Sequence, residues 1–173
     1  MINLDTLDTC LRICEACIAA TPIAVVALTN NLAILTPALS SLLLACSILI
    51  SDLSDDSARA VAMEIMLSVF RLLLALTTVS PDWSIALAGT PLAVPTLVKF
   101  IVATRNAEAR AGRGSFVVVG TEENDVVSYK FDVLCLALGV LTNLVETAEG
   151  VRDVLRETRQ SSVSSIWVLR LTG

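Results

Sequence analysis

Between Glu15 and Asp52 the chain carries no charged side chain, and that stretch constrains the fold more than any other part of the sequence. A bilayer-spanning helix needs about 20 consecutive, mostly apolar residues. Here Pro22, the Asn30-Asn31 pair and Pro37 cut the stretch into pieces, with residues 23–29 and 38–50 as the apolar runs. Pieces of that length suit helices buried in a protein core. No Lys or Arg cluster flanks them, and no Trp or Tyr belt marks a membrane boundary. The expectation is a chain with no membrane partner, with a small helical membrane protein as the alternative.

Composition sharpens this. Hydrophobic residues make up 55% of the chain, charged residues 17% and aromatics 4%. Average soluble domains are about 45–50% apolar and about 25% charged, so the excess here is Leu, Ala and Val that must find cover. Helices stacked closely on one another provide it. The net charge of −5 leaves no electrostatic footprint for a phosphate backbone, so direct nucleic-acid binding is not expected. The first residues, Met-Ile-Asn-Leu-Asp-Thr-Leu-Asp, lack the basic start of a secretory signal. Five cysteines in apolar surroundings do not resemble a disulfide framework, and the reading is an intracellular protein with reduced thiols.

Helical spacing runs along the chain. Leu4, Leu7, Leu11, Cys14 and Ile18 share one face of a first helix, which Thr21-Pro22 ends because the residue before proline avoids the α region. A second helix is expected to about Leu35, and Pro37 to open a third to about Ile50. Ser54 or Asp55 can cap a long fourth helix reaching Val79. A short helix over residues 83–88 follows, then one from about Val94 to Thr104. Residues 105–125, with Arg110, Gly112, Arg113, Gly114 and Gly120, read as an exposed, mobile inserted loop, although residues 116–119 could pair as a strand. A long apolar helix returns over residues 126–148, then a short one over residues 151–158 and an amphipathic tail over residues 166–171. The fold class is all-α, in one domain over residues 1–173.

Internal similarity refines that class. Leu28-Thr29-Asn30, Leu76-Thr77-Thr78 and Leu141-Thr142-Asn143 each sit late in an apolar helix. The step from Leu28 to Leu76 is about 48 residues, and the next, once the insertion is removed, about 45, near the ~40–47 of HEAT and armadillo repeats. A long helix, a turn, a short helix and a proline-marked helix follow in armadillo order. The expected architecture is an armadillo/HEAT-like α-solenoid of about three to four stacked repeats sharing one core.

Little in the chain points to catalysis. With no histidine, Ser-His-Asp and Cys-His arrangements are excluded, as is the commonest zinc ligand. Cys10, Cys14 and Cys17 have the C-x3-C-x2-C spacing of an iron–sulfur motif. They fall inside a helix, where the expected role is that of small residues on a buried stripe. No Walker or dinucleotide pattern surrounds Gly112 and Gly114. Neither an enzymatic activity nor a cofactor or metal is expected. Asn143 stands where peptide-binding armadillo repeats place an Asn that bonds an extended ligand, but the role expected of it is to satisfy backbone groups between repeats, because buried polar groups are normally paired. The Trp such repeats carry four residues earlier is Gly139 here, on a helix expected to lie tightly against its neighbour.

The segment Ala137-Leu138-Gly139-Val140-Leu141-Thr142-Asn143-Leu144-Val145-Glu146 resembles the C-terminal domain of the wings-apart-like (Wapl) family, in which a helix reading roughly A-L-G-x-L-x-N-L-V-E recurs. The resemblance implies a non-enzymatic nuclear, chromatin-associated protein. It would bind cohesin ring subunits and their HEAT-repeat accessory subunits and promote release of cohesin from chromatin, a step in sister-chromatid cohesion. An unrelated armadillo or HEAT adaptor for an extended peptide is the alternative. Position and chemistry single out Thr142, Asn143 and Glu146 on this helix, with Arg110 and Arg113 in the insertion, as candidate protein-interaction residues.

Overall fold

The computed structural model describes residues 4–52, 56–111 and 123–157. Every regular element among them is a helix: α1 Leu4–Ala20, α2 Pro22–Thr29, α3 Leu32–Asp52, α4 Asp56–Val79, α5 Pro81–Gly89, α6 Ala93–Ala111 and α7 Glu123–Thr147. A last short helix, α8, covers Val151–Glu157.

The order long–short–long occurs twice, in α1–α2–α3 and α4–α5–α6, and begins a third time in α7–α8. The three junctions from long to short helix are built alike. The amides of Thr21, Ser80 and Ala148 donate to the carbonyls of Cys17, Leu76 and Leu144 at 3.0, 3.0 and 2.9 Å, closing the long helix. Three residues on, the amides of Ala24, Trp83 and Val151 donate back to Thr21, Ser80 and Ala148, each at 3.2 Å, opening the short one. Thr21 (φ −144°, ψ 128°) and Ser80 (φ −138°, ψ 118°) share an extended backbone. The proline that follows each enforces that conformation and then occupies the first helical turn, where its missing N–H costs nothing. Beyond the short helices the axis turns by 84° into α3 and by 90° into α6. In the second of these turns Leu92 adopts a left-handed φ of 66°, an uncommon conformation for a side chain with a Cβ.

The core is organised around α4, which packs against α1, α3, α5 and α7; α3 and α6 form a second row, and α6 also meets α7. Trp83, Phe70, Met66, Leu73 and Leu144 are fully enclosed. The Phe70 and Phe100 rings lie 5.5 Å apart at a tilt of 44°, joining α4 to α6. Trp83 Nε1 donates to Thr29 Oγ1 at 3.2 Å, tying α5 to α2.

Several expectations are corrected here. Residues 105–111 and 123–125, read as loop, belong to α6 and α7. The run Arg-Asn-Ala-Glu-Ala-Arg-Ala is charged but made mostly of strong helix formers, so the composition changes while the helix continues. Residues 112–122, which include Arg113 and the suggested strand at 116–119, lie outside the described residues, as do Ser54, Asp55 and the tail. The second helix stops at Thr29 rather than Leu35, and Pro37 lies inside α3 instead of opening it. The break falls at Asn30-Asn31 because the Asn31 carbonyl accepts the amides of Ile34 and Leu35, both at 3.0 Å, and so starts α3 itself. Leu28-Thr29-Asn30 therefore closes a short helix, whereas Leu76-Thr77-Thr78 closes a long one, and the two strings are not equivalent positions.

Leu73 is completely buried on α4, while Leu138 on α7 is 44% exposed. Leu73→Ala is expected to cost about 2–5 kcal/mol in urea unfolding. Leu138→Ala is expected to stay within about 0.5 kcal/mol of wild type. Equal losses would show that α7 is rotated from this placement.

Candidate protein-interaction surface

The last turns of α7 hold three of the five residues singled out from the sequence. Leu138, Thr142 and Glu146 follow one another along an exposed line of the helix, with Cys135 one turn earlier. Thr142 Oγ1 donates to the Leu138 carbonyl at 2.9 Å, so the hydroxyl proton is satisfied within the helix and the oxygen remains able to accept. Glu146 is exposed at the end of the same line. Arg110 lies in the last turn of α6, away from this line in sequence, and its side chain is outside the described residues, as is the whole of Arg113.

Asn143 is turned from that line toward α4. Its Nδ2 donates to Thr77 Oγ1 at 3.0 Å and to Thr78 Oγ1 at 3.1 Å. Those hydroxyls spend their own protons on the carbonyls of Leu73 (2.8 Å) and Leu74 (2.7 Å), so each can only accept from the side. This fixes the amide orientation without reference to hydrogen positions. Of the two roles open to Asn143, the bond between helices is the one realised, to side-chain hydroxyls rather than to backbone groups. One turn earlier, a Cβ on Gly139 would lie 3.1 Å from Leu74 Cδ1, so the missing side chain is what lets α7 sit this closely on α4. The Trp of peptide-binding armadillo repeats is absent at that position, where even a Cβ would press on Leu74.

Charge around this end is modest and paired in part. Arg156 Nη1 meets Asp153 Oδ1 at 3.0 Å on the exposed side of α8, a contact worth little in water. At the other end Asp8 accepts Arg12 Nε at 2.7 Å and Ser68 Oγ at 2.5 Å, linking α1 to α4.

The cysteines do not form the buried stripe expected of them. Cys10 and Cys17 are exposed and Cys14 is half-buried, because the buried line of α1 runs through Leu11 and Ile18. Burial raises the Cys14 thiol pKa, and the neighbouring Cys17 and Cys10 raise it further. Cys46 is buried, and burial pushes its thiol from an ordinary 9.0 to about 11. Among the described residues no group of three or more His, Cys, Asp or Glu side chains could hold a metal ion.

Among the described residues one helix is long and apolar enough to cross a membrane by length and composition, over Val61–Val79 of α4, with 61% of that window buried inside the protein, and three bent pairs, Ile23–Thr29 with Leu32–Ile48, Pro81–Gly89 with Ala93–Thr104 and Asp132–Thr147 with Val151–Glu157, reach that length and apolarity only when each is taken as one span. No protein-family model matches the chain, and neither a curated protein nor a solved structure matches it significantly.

Two outcomes are expected of these groups. In a double-mutant cycle, Asn143→Ala and Thr77→Val should couple by about 0.5–1.5 kcal/mol in unfolding free energy; strict additivity would remove the α4–α7 clamp. The Cys46 pKa is higher folded than unfolded, so its contribution to stability is complete below pH 9.0 and lost as pH rises through about 11. Urea midpoints should therefore fall over that window, and Cys46→Ala should reduce the fall. An unchanged slope would contradict the buried thiol.

Proposed function

We propose that the chain is a non-enzymatic protein-interaction domain, an armadillo/HEAT-type solenoid in which α1–α3, α4–α6 and α7–α8 are successive units. The observation that carries this is the recurrence of one junction, with the same pair of backbone hydrogen bonds at Thr21, Ser80 and Ala148. Units of this kind cannot bury their apolar faces alone; each covers its neighbour, and the side chains left outside form an extended binding surface.

The partner we propose is cohesin with its HEAT-repeat accessory subunits, with release of the ring from chromatin as the outcome. The support is the Wapl-like run over residues 137–146. A domain without catalytic groups acts by differential binding: it holds the ring's open state more tightly than the closed one and so shifts the population toward it. Thr142 and Glu146, exposed beside Leu138, are the side chains through which α7 would make that contact. The engagement of Asn143 by Thr77 and Thr78 weighs against the alternative, an adaptor that grips an extended peptide through that amide.

Size-exclusion co-elution of the detergent-free protein with purified cohesin carrying its accessory subunits tests the reading. Co-elution is expected, and Glu146→Arg should reduce the complex at least fivefold while leaving the helical circular dichroism spectrum intact. A folded protein that never co-elutes would refute the cohesin partner.

A further inference from the structure

Pro37 does not divide the charge-free stretch. Helix α3 runs through it from Leu32 to Asp52, 21 residues with a single charge at the last position. That is about the 20 apolar residues over which a helix can meet hydrocarbon. Taken as one bent pair, α2 and α3 also reach the length and apolarity of a membrane span. Leu39, Leu43 and Cys46 face the protein core, whereas Ile34, Ala38, Ser41, Ala45 and Ile48 are exposed along α3. Ile34 is 71% exposed, and on α2 Ile23 is 80% and Val26 59% exposed.

We propose that the exposed side of α2 and α3 docks on a lipid bilayer, its aliphatic side chains entering the boundary between headgroups and acyl chains. Exposed apolar patches mark protein or membrane contacts, and two observations select lipid. Every Lys, Arg, Asp and Glu of the chain lies outside residues 16–51, so no charge has to be stripped of water along the whole of α2 and nearly all of α3. Around α2 the polar side chains close on nearby backbone, as a medium without water requires. Thr21 Oγ1 donates to the Cys17 carbonyl at 3.2 Å, Thr29 Oγ1 to that of Val25 at 2.8 Å, and Asn31 Nδ2 to that of Ala27 at 2.9 Å. The helices lie along the surface and do not cross it, because the side of α3 that carries Leu39, Leu43 and Cys46 is held by the protein.

The net charge of −5 selects among lipids. Binding at a membrane surface combines apolar burial with attraction to anionic headgroups. Residues 16–51 hold no Lys or Arg for the second, so the favoured bilayer is zwitterionic. The expectation of no membrane partner rested in part on a break at Pro37 that α3 does not have. This contact uses α2 and α3 and leaves the exposed line of α7 free, so it is independent of the cohesin partner.

Flotation of the full chain with phosphatidylcholine vesicles, without detergent, tests it. The chain is expected to float with them, equally so when ~1 M salt screens surface charge, and no more tightly when phosphatidylserine is added. Ile34→Glu should weaken flotation at least tenfold with an unchanged circular dichroism spectrum. As a second measurement, Ala38→Cys in a chain with Cys10, Cys14, Cys17 and Cys135 replaced by Ser should carry a polarity-sensitive fluorophore whose emission shifts to the blue on adding vesicles. The same label on Cys135, with Cys10, Cys14 and Cys17 replaced by Ser, should not shift. A wild-type chain that stays with the soluble fraction, flotation untouched by Ile34→Glu, binding confined to phosphatidylserine vesicles, or a shift at Cys135 in place of Ala38 would each overturn the proposal. So would a soluble dimer that shields the Ala38 label and does not float, by showing that a second copy covers α3.

Discussion

Six consecutive residues of α4, Ile65 through Phe70, are all buried, none more than 5% exposed. At 3.6 residues per turn six positions sweep more than a full circumference, so over this segment the helix has no face to give to water, and its exposed residues, among them Glu64, Arg71 and Thr78, lie to either side of it. Its surroundings follow from that constraint. A helix enclosed on every side needs neighbours on every side, and α1, α3, α5 and α7 supply them. The polar exception in the run, Ser68, is tolerated because Asp8 reaches across from α1 to accept its hydroxyl, and Arg12 in turn neutralises Asp8. Buried hydroxyls are costly when unpaired, so the contact also fixes how α1 lies on α4.

The close approach of α7 has a different origin. Gly139 removes the side chain that would meet Leu74, and one turn later Asn143 bridges two threonines whose protons are already committed. Steric permission and polar bonding thus act on adjacent turns, and together they set the rotation of α7. That rotation determines which α7 side chains remain outside, and so links packing to the surface proposed for binding.

The prolines made much of this architecture legible. Thr21-Pro22 and Ser80-Pro81 end one helix and begin the next where proline chemistry dictates, and of the line that periodicity draws along α1, Leu11 and Ile18 are buried and Leu7 and Cys14 half-buried. Pro37 misled, because a proline within the first turns of a helix looks, in sequence, like a proline that starts one. Residues 105–111 misled because charge was read as a break where helix propensity was the relevant quantity. On the candidate surface, Thr142 and Glu146 were visible as positions near a helix end, but the turning of Asn143 toward α4 depends on Thr77 and Thr78, 65 residues or more away, and no local pattern encodes it. The open side of α3 was hidden for a related reason: where every residue is apolar or small, the sequence holds no contrast between inside and outside.

The position of α4 between α1 and α7 carries a consequence for how the molecule opens. The outer helices have α4, rather than each other, as their main long neighbour. Release of α1 leaves the α4–α7 contact standing, and loosening of α7 leaves α1 in place. Unfolding is then graded, with the backbone amides of α4 the last to exchange with solvent and protection declining toward either end. A partner that engages an outer helix acts on a part of the chain that can yield without loss of the rest.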